Sequence, residues 1–427
     1  MEIAQQTTPP RYTTRHPIRY LLASLIALGP LTMSLYTPSM PAITEALATS
    51  EGLVQATIGI FLTMVAIGQL IYGPISDRHG RRLVLFVGFS IYVLASLACA
   101  MATTIEQLLV ARAFQGLGAS AGAVMSRAII RDLYEKGDIA KMLSFIGMAL
   151  AAAPAIGPLL GGQLETRLGW EANFLVLAAV GVSLLILVAK VLPETNLDRT
   201  REPFLSAYQT LIRNRCFLGY VGPVGAALGG IFSFHSVGPF VLIDELGVPP
   251  TLYGFYTVLS VSGYFIGSFI SNRVAGEVHH DVLIKIGLSI GLVSGISMLS
   301  LGLTTSGGLI TLTPLLFMAP CILWAFSAGL VLPNGATGAI QPFPRIAGSA
   351  SALVGGIQIG AGAGMSFAIA KIGGFLPLTF GILTTTLVSI GIAFYLWGVV
   401  FNRATPGPPA PNSPNDGTRP DPIPTIE

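Results

Sequence analysis

Charge is what this sequence has least of. Asp, Glu, Lys and Arg make up only 10% of its 427 residues, against roughly 25% in a soluble domain. That shortage, with 52% hydrophobic residues and a mean hydropathy of +0.73, excludes a soluble globular fold and indicates a polytopic membrane protein. Cysteine is scarce as well: Cys99, Cys216 and Cys321 are the three present, each in or at the edge of an apolar segment. An odd count in such places excludes a disulfide framework. No long basic run accompanies the net charge of +3, so nucleic acid is not an expected partner. The glycine-rich stretch from Gly355 to Gly364 has no following Lys-Ser/Thr pair, which excludes a phosphate-binding loop. Intramembrane enzymes need a buried Ser/His pair, paired aspartates or clustered metal ligands. Here His235 stands alone, so neither an enzyme nor a metal or cofactor site is expected.

What is abundant is apolar runs long enough to cross a bilayer, for which about 20 residues suffice. A window of about 19 residues predicts spans at 18–38, 53–76, 83–103, 107–130, 142–163, 172–192, 217–242, 252–271, 283–304, 309–332, 348–370 and 376–401. The fold expected is therefore all-α, with twelve transmembrane helices. Met1 to Pro17 is polar and lacks the apolar core of a signal peptide, so the first span is expected to be retained. Loop charges alternate. Arg78, Arg81, Arg82, Arg127, Arg131, Lys136, Lys141, Lys190, Arg213, Arg215, Arg273 and Arg403 fall on one side, while only Arg167 and Lys371 fall on the other. By the positive-inside rule the first side, with both termini, is cytoplasmic.

The longest connection, 193–215, is expected to be a cytoplasmic linker between six-helix bundles at 18–192 and 216–403. The polar ends, 1–17 and 404–427, are expected to be disordered. The halves echo each other: Ile75-Ser76-Asp77-Arg78 after the second span reappears as Ile270-Ser271-Asn272-Arg273 after the eighth. Two six-helix repeats with a substrate path between them is a transporter architecture.

Several stretches carry a family resemblance. Gly73, Asp77, Arg78, Gly80, Arg81 and Arg82 resemble the loop signature of the major facilitator superfamily, and Arg112 to Ala119 resemble its fourth-helix signature. Pro154, Gly157, Pro158, Gly161 and Gly162 resemble the fifth-helix motif of its drug antiporters. Tyr36-Thr37-Pro38, Arg127 to Asp132 and Leu332-Pro333-Asn334 are similar to the bicyclomycin and chloramphenicol resistance (Bcr/CflA) branch of drug:proton antiporters. The resemblance runs from about residue 18 to residue 400. It implies two pseudo-symmetric halves rocking about a central site, export of drug-like molecules from the inner membrane in exchange for protons, and a monomer. It also implies that the Asp77 cluster locks one face in one state. Export of a specific metabolite or siderophore, or nutrient symport, stands beside this reading.

Arg112 sits about six residues inside its span, roughly 9 Å deep, where a cation is costly and usually faces a cavity. The resembling family often carries an acid near the first-helix Tyr-x-Pro turn, but Ser34 occupies that position here. No carboxylate lies in a span interior, since Asp77 and Asp132 are both at edges, and Asp132 is about 30 Å along the helix from Arg112. His235, in the seventh span, is then the candidate proton carrier. Ser34, Arg112 and His235 fall about 9 to 12 Å deep and are candidates for one layer. An unpaired cavity arginine favours neutral or anionic substrates. The remaining cavity candidates are polar or aromatic residues in apolar helices, which give a pocket directional contacts without fixed charge: Tyr36, Thr37, Met64, Gln115, Phe232, Phe234, Tyr256, Tyr264, Trp324 and Gln358.

Overall fold

The structure, a computed structural model, describes residues 16–196, 204–374 and 376–404. The polar ends expected to be disordered fall almost wholly outside these residues, as does part of the linker. Among the described residues twelve helices are long and apolar enough to cross a membrane.

The first span is Ile18–Leu35 (α1), continued through a 3-10 turn at Thr37–Ser39 into Met40–Ala46 (α2). Pro38 and Pro41 lack the amide hydrogens that would carry one ladder through the join. Glu51–His79 (α3), Arg81–Ala100 (α4), Ile105–Leu133 (α5), Lys136–Leu168 (α6) and Glu171–Val191 (α7) complete the first half. A short amphipathic helix, Phe204–Arg213 (α8), occupies the linker. The second half is Arg215–Pro239 (α9) with a π-helical extension to Glu245, then Pro250–Arg273 (α10), His280–Ser306 (α11), Pro314–Ile340 (α12), Ala347–Ile372 (α13) and Leu376–Tyr395 (α14).

Local chemistry sets the boundaries. Ser50, Thr104, Asn214 and Thr313 each accept a hydrogen bond from the amide three residues on, relieving the donors that a helix start leaves unpaired. The tenth span departs most from its sequence window. Hydropathy places it at 309–332, yet the helix starts after the Thr313 cap with proline at its first position and runs through Pro333 to Ile340. A hydropathy window sees the apolar Leu309–Leu312 stretch but is blind to the cap, and a helix in a packed bundle tolerates an interior proline.

The halves pack as copies. The pairs α1–α6, α3–α5, α4–α5 and α4–α7 in the first are matched by α9–α13, α10–α12, α11–α12 and α11–α14 in the second. Two symmetric seams join them, α3 with α13 and α6 with α10. Glycine lets the backbones approach. A Cβ on Gly161 would overlap the Leu35 carbonyl oxygen, one on Gly116 the Phe61 carbonyl oxygen, and one on Gly162 the Pro250 carbonyl oxygen across the second seam. In lipid, where burial of apolar surface drives nothing between helices, such small-residue contacts supply the association.

The charged turn between α3 and α4 marks one face of the bundle, called here the basic face. At the opposite face the seams are tight, with Gly52 against Ala370, Gly59 against Phe367, and Gly254 against Leu159. Toward the basic face the α3–α13 seam holds as far as Gln69 and Gly355, then parts. A cavity of about 1010 Å³ lies beyond that point, lined by Gln69 to Arg81, Val124 to Arg131, and Gly348 to Ala352, with α8 alongside.

Two glycine substitutions check this packing. Gly161→Ala should lower unfolding stability by about 1–3 kcal/mol, the usual cost of overpacking. Gly360→Ala, at an exposed helical position with no atom within 4 Å of the new Cβ, should be neutral or slightly stabilising. Thermal unfolding of the two purified variants in detergent distinguishes them.

Candidate functional site

The turn closing α3 is built around Gly80, whose φ of +97° is a conformation that favours glycine. It leaves the first amides of α4 pointing at Glu194, just past the sixth span. Glu194 Oε1 accepts from the amides of Arg81 at 2.8 Å, Thr195 at 3.0 Å and Asn196 at 3.0 Å, while Oε2 accepts from Arg82 N at 3.2 Å. A carboxylate on a helix start satisfies both the orphan donors and the dipole. Asn196 donates back to the carbonyls of Ser76 and Asp77 at 3.2 and 3.0 Å, closing the end of α3.

Arg81 is the hub. Its guanidinium bonds Asp77 and the Ser76 hydroxyl through Nη1, and Asp132 on α5 through Nε at 3.2 Å. Thr195 donates to the same Asp132 oxygen at 3.0 Å. Sequence spacing puts three arginines in reach of Asp77, but one holds it. Arg82 donates instead to the Ala189 carbonyl at 2.7 Å, and Arg78 is exposed. Gly73 is expected to permit a close approach of helix ends, yet a Cβ there would meet nothing within 4 Å. Every partner in this network belongs to the first half or to the start of the linker that leaves it, and none to the second half. Glu194 and Asn196 do not stand out in the sequence because they look like ordinary linker polarity; the signal is a Pro-Glu-Thr-Asn cluster directly after an apolar run.

The second copy is built differently. Ser271, the counterpart of Ser76, accepts from Asn334 Nδ2 at 2.7 Å. Asn272 stands where the first copy has Asp77; nearby, buried Asp281 in the first turn of α11 accepts from the Tyr220 hydroxyl at 2.8 Å and lies beside His279 and His280.

Arg112 does not face a cavity. It is 0% exposed, with its guanidinium carbon 4.3 Å from the ring centres of both Tyr36 and Phe61 and 6.0 Å from that of Phe174. Nη1 donates to Gln115 Oε1 at 2.6 Å, and the Gln115 amide donates to Ser96 at 2.9 Å. Nε and Nη2 have no hydrogen-bond partner. Aromatic faces attract a desolvated cation, so the site holds arginine by quadrupole and amide instead of by carboxylate. Tyr36 is fixed in turn by Thr57, at 2.9 Å.

Ser34 bonds the Ala153 carbonyl of α6 at 3.2 Å and packs where Gly157 leaves room. Thr37 bonds the Ser34 carbonyl at 2.7 Å. Gly157 and Gly161 face Ser34 and Leu35 of α1, but Gly162, next along the helix, turns to Pro250 of the other half, so the three glycines expected to form one face are divided between two contacts, on a helix containing Pro154 and Pro158. His235 is buried, with Nδ1 3.0 Å from the Ile231 carbonyl and its ring against Phe232 and Phe234. No described hydrogen bond, ion pair or ring contact joins it to Ser34 or Arg112. Phe234 stacks on Phe317, and Trp324 donates to the Ala227 carbonyl at 3.1 Å. Met64, Phe232, Tyr256, Tyr264 and Gln358 are partly buried. Neither these residues nor the Arg112 group lines the cavity at the basic face.

What does line it is Asp77 against Arg78, Arg81, Arg127 and Arg131. Asp77 and Asp132 are both committed to Arg81. None of the described hydrogen bonds or ion pairs uses Arg78, Arg127 or Arg131, which leaves the wall strongly positive. Tyr208 of α8, whose phenol burial holds above its usual pKa, joins the lining as a neutral hydroxyl.

The arrangement of two matched six-helix halves with a cavity on their seam is also what known proteins share. The sequence profile of the Major Facilitator Superfamily matches residues 22–365. The chain belongs to this superfamily. Its relatives include Multidrug resistance protein D of Escherichia coli, 33% identical over 84% of this chain and 89% of that one. The Chloramphenicol resistance protein of Pseudomonas aeruginosa is 31% identical over 80% and 81% of the two chains. The crystal structure of a D-xylose-proton symporter superposes with a TM-score of 0.69 over 90% of this chain and 98% of its own, at 16% identity, a likeness of fold alone. The protein is thus a multi-pass membrane transporter of small molecules, not an enzyme.

The Glu194 cap generates a direct test. Glu194→Ala leaves four amides without their acceptor, and the loss of hydrogen bonds to a charged group is worth about 1.5–3 kcal/mol. Hydrogen exchange at the Arg81 and Arg82 amides should accelerate by at least roughly tenfold, with amides in the centre of α4 unchanged.

Proposed function

We propose that this superfamily member exports drug-like small molecules by alternating access, in exchange for protons, with the basic face cytoplasmic. The observation that carries the reading is the cavity itself, which opens between the halves at the basic face while both seams are closed at the other. That is the arrangement of a carrier loading from the side on which its unpaired loop arginines lie, and the positive-inside rule makes that side the cytoplasm. The drug-resistance names of the relatives support export of such molecules. The proline- and glycine-bearing α6, packed through Gly162 onto the other half, supports the antiporter assignment.

Proton exchange requires a group that titrates within the membrane. The spans hold no interior carboxylate, and His235 is the histidine buried in one. Its hydrogen bond to the Ile231 carbonyl lies within its own helix, leaving Nε2 to gain and lose a proton as the halves rock. Arg112, closed in its aromatic box, serves as a fixed positive charge that α1, α3, α5 and α7 are built around.

Proteoliposomes with an imposed pH gradient test both statements, with chloramphenicol as the transported probe. Wild-type flux should rise with the gradient by at least about tenfold, and His235→Ala should reduce it to the gradient-free rate. Flux indifferent to the gradient removes antiport; gradient-driven flux unchanged in His235→Ala moves the coupling to another group.

A further inference from the structure

The unpaired arginines of the cavity are not simply topology signals. A loop arginine that only marks the cytoplasmic side can extend into water, as Arg78 does. Arg127 lies six residues inside the end of α5, within the seam, and lines the cavity together with Arg131 one turn further on. Across from them is the start of α13. Its N-terminal residue makes no side-chain cap, and Gly348, Ser349 and Ser351 of its first turns line the same wall. Arg131 reaches it directly: Nη1 is 3.5 Å from where a Gly348 Cβ would stand. A guanidinium and the positive end of a 26-residue helix therefore face each other across the two halves with no carboxylate among the described residues bonded to either, a juxtaposition that is unfavourable until an anion enters.

At the inner end of the cavity sits a second unsatisfied group of opposite character. Gln69 is 6% exposed, lines the cavity, and its carbonyl oxygen Oε1 has no hydrogen-bond partner. A buried acceptor left bare is costly, and an anion cannot relieve it. Arg127 Nη1 comes near the same point, 3.9 Å from where a Gly355 Cβ would stand, without bonding it, so a donor on the same ligand would satisfy the oxygen while leaving Arg127 to the anion.

We infer that the cavity at the basic face takes an organic anion that also carries a hydrogen-bond donor, its carboxylate or phosphate-type group held by Arg127, Arg131 and the first turn of α13, and its hydroxyl or amide donating to Gln69. This rests on the export reading and names the class of cargo that loads from this side. The anion joins both halves, because Arg127 and Arg131 lie on one and α13 on the other. Its arrival cancels the repulsion that would oppose closure of the basic face, so loading itself favours the step that carries cargo across.

The experiment uses the purified full chain in nanodiscs of phosphatidylcholine and a series on one ring: 4-hydroxyphenylacetate, its amide, tyramine, and phenylacetate without the hydroxyl. Calorimetry should find the hydroxy acid bound at least roughly tenfold more tightly than the amide or tyramine, the size expected of charge-assisted hydrogen bonds. Arg127→Gln with Arg131→Gln should abolish that preference, and Gln69→Leu should abolish only the preference over phenylacetate. Unliganded melting temperatures of the variants check that they are folded. Absence of binding, equal binding of acid, amide and amine, or a preference that survives the double arginine variant overturns the inference. Inorganic phosphate is a competitor arm, and phosphatidylglycerol discs are another. If phosphate displaces the acid while phosphatidylglycerol does not, a soluble anion is the occupant; if phosphatidylglycerol alone excludes the acid, a lipid headgroup is, and the cargo assignment falls. Loss of acid binding with chloramphenicol efflux intact would sink this inference alone. Acid binding with no efflux of any probe would sink the export reading alone.

Discussion

Everything in this bundle depends on how closely one helix backbone can approach another. With so little charge available inside a membrane, cohesion comes from glycines laid on the carbonyl oxygens of neighbouring helices: Gly161 on Leu35, Gly116 on Phe61, Gly122 on Leu25, Gly267 on Phe326. These contacts hold α1 to α6, α3 to α5, α1 to α5 and α10 to α12, and they recur in both halves. Where glycine crosses from one half to the other, at Gly162 and Gly254, the protein is shut. Where the α3–α13 contact ends, it opens into the cavity.

Much of this is legible in the amino-acid order. Apolar runs mark twelve spans, alternating loop charge marks a face, and the repeated Ile-Ser-x-Arg turn marks the duplication, because each depends on residues near in sequence. The small residues of α6 are readable for the same reason. What stays hidden is partnership across long separations. Nothing adjacent to Glu194 says that it caps a helix starting at Arg81. Nothing near Asp281 says that its carboxylate accepts from Tyr220, some sixty residues earlier. Arg112 shows the same limit: it does lie deep in its span, but whether a cation at that depth meets water or the faces of Tyr36, Phe61 and Phe174 depends on three helices distant in sequence. The expectation that Arg112 faces a cavity fails; an arginine the expectation did not name, Arg127 near the end of the same helix, lines one.

The two unusual kinds of cation are thus handled by opposite means. Arg112 is enclosed, with Gln115 and aromatic rings in place of an acid, and it ties α5 to α1, α3 and α7 within one half. Arg127 and Arg131 are left open toward a partner that belongs to neither half.

The Arg81 network has its own mechanical meaning. Asp77, Asp132, Glu194 and Asn196 all lie on the same side of the seam, so the network clamps nothing across the cavity and stays whole while the cavity is open. It acts as a stiffener at the far end of a lever. With α3, α4 and α5 fastened there, the first half is braced near its tip, and a tilt of the kind the proposed alternating access requires would pivot at the glycine contacts of the opposite face, Gly52 with Ala370 and Gly162 with Pro250. A fulcrum placed at one end gives the longest possible arm to the other, so under the proposed alternating access a rotation that hardly disturbed those contacts would sweep the arginine-lined tip through the width of the cavity.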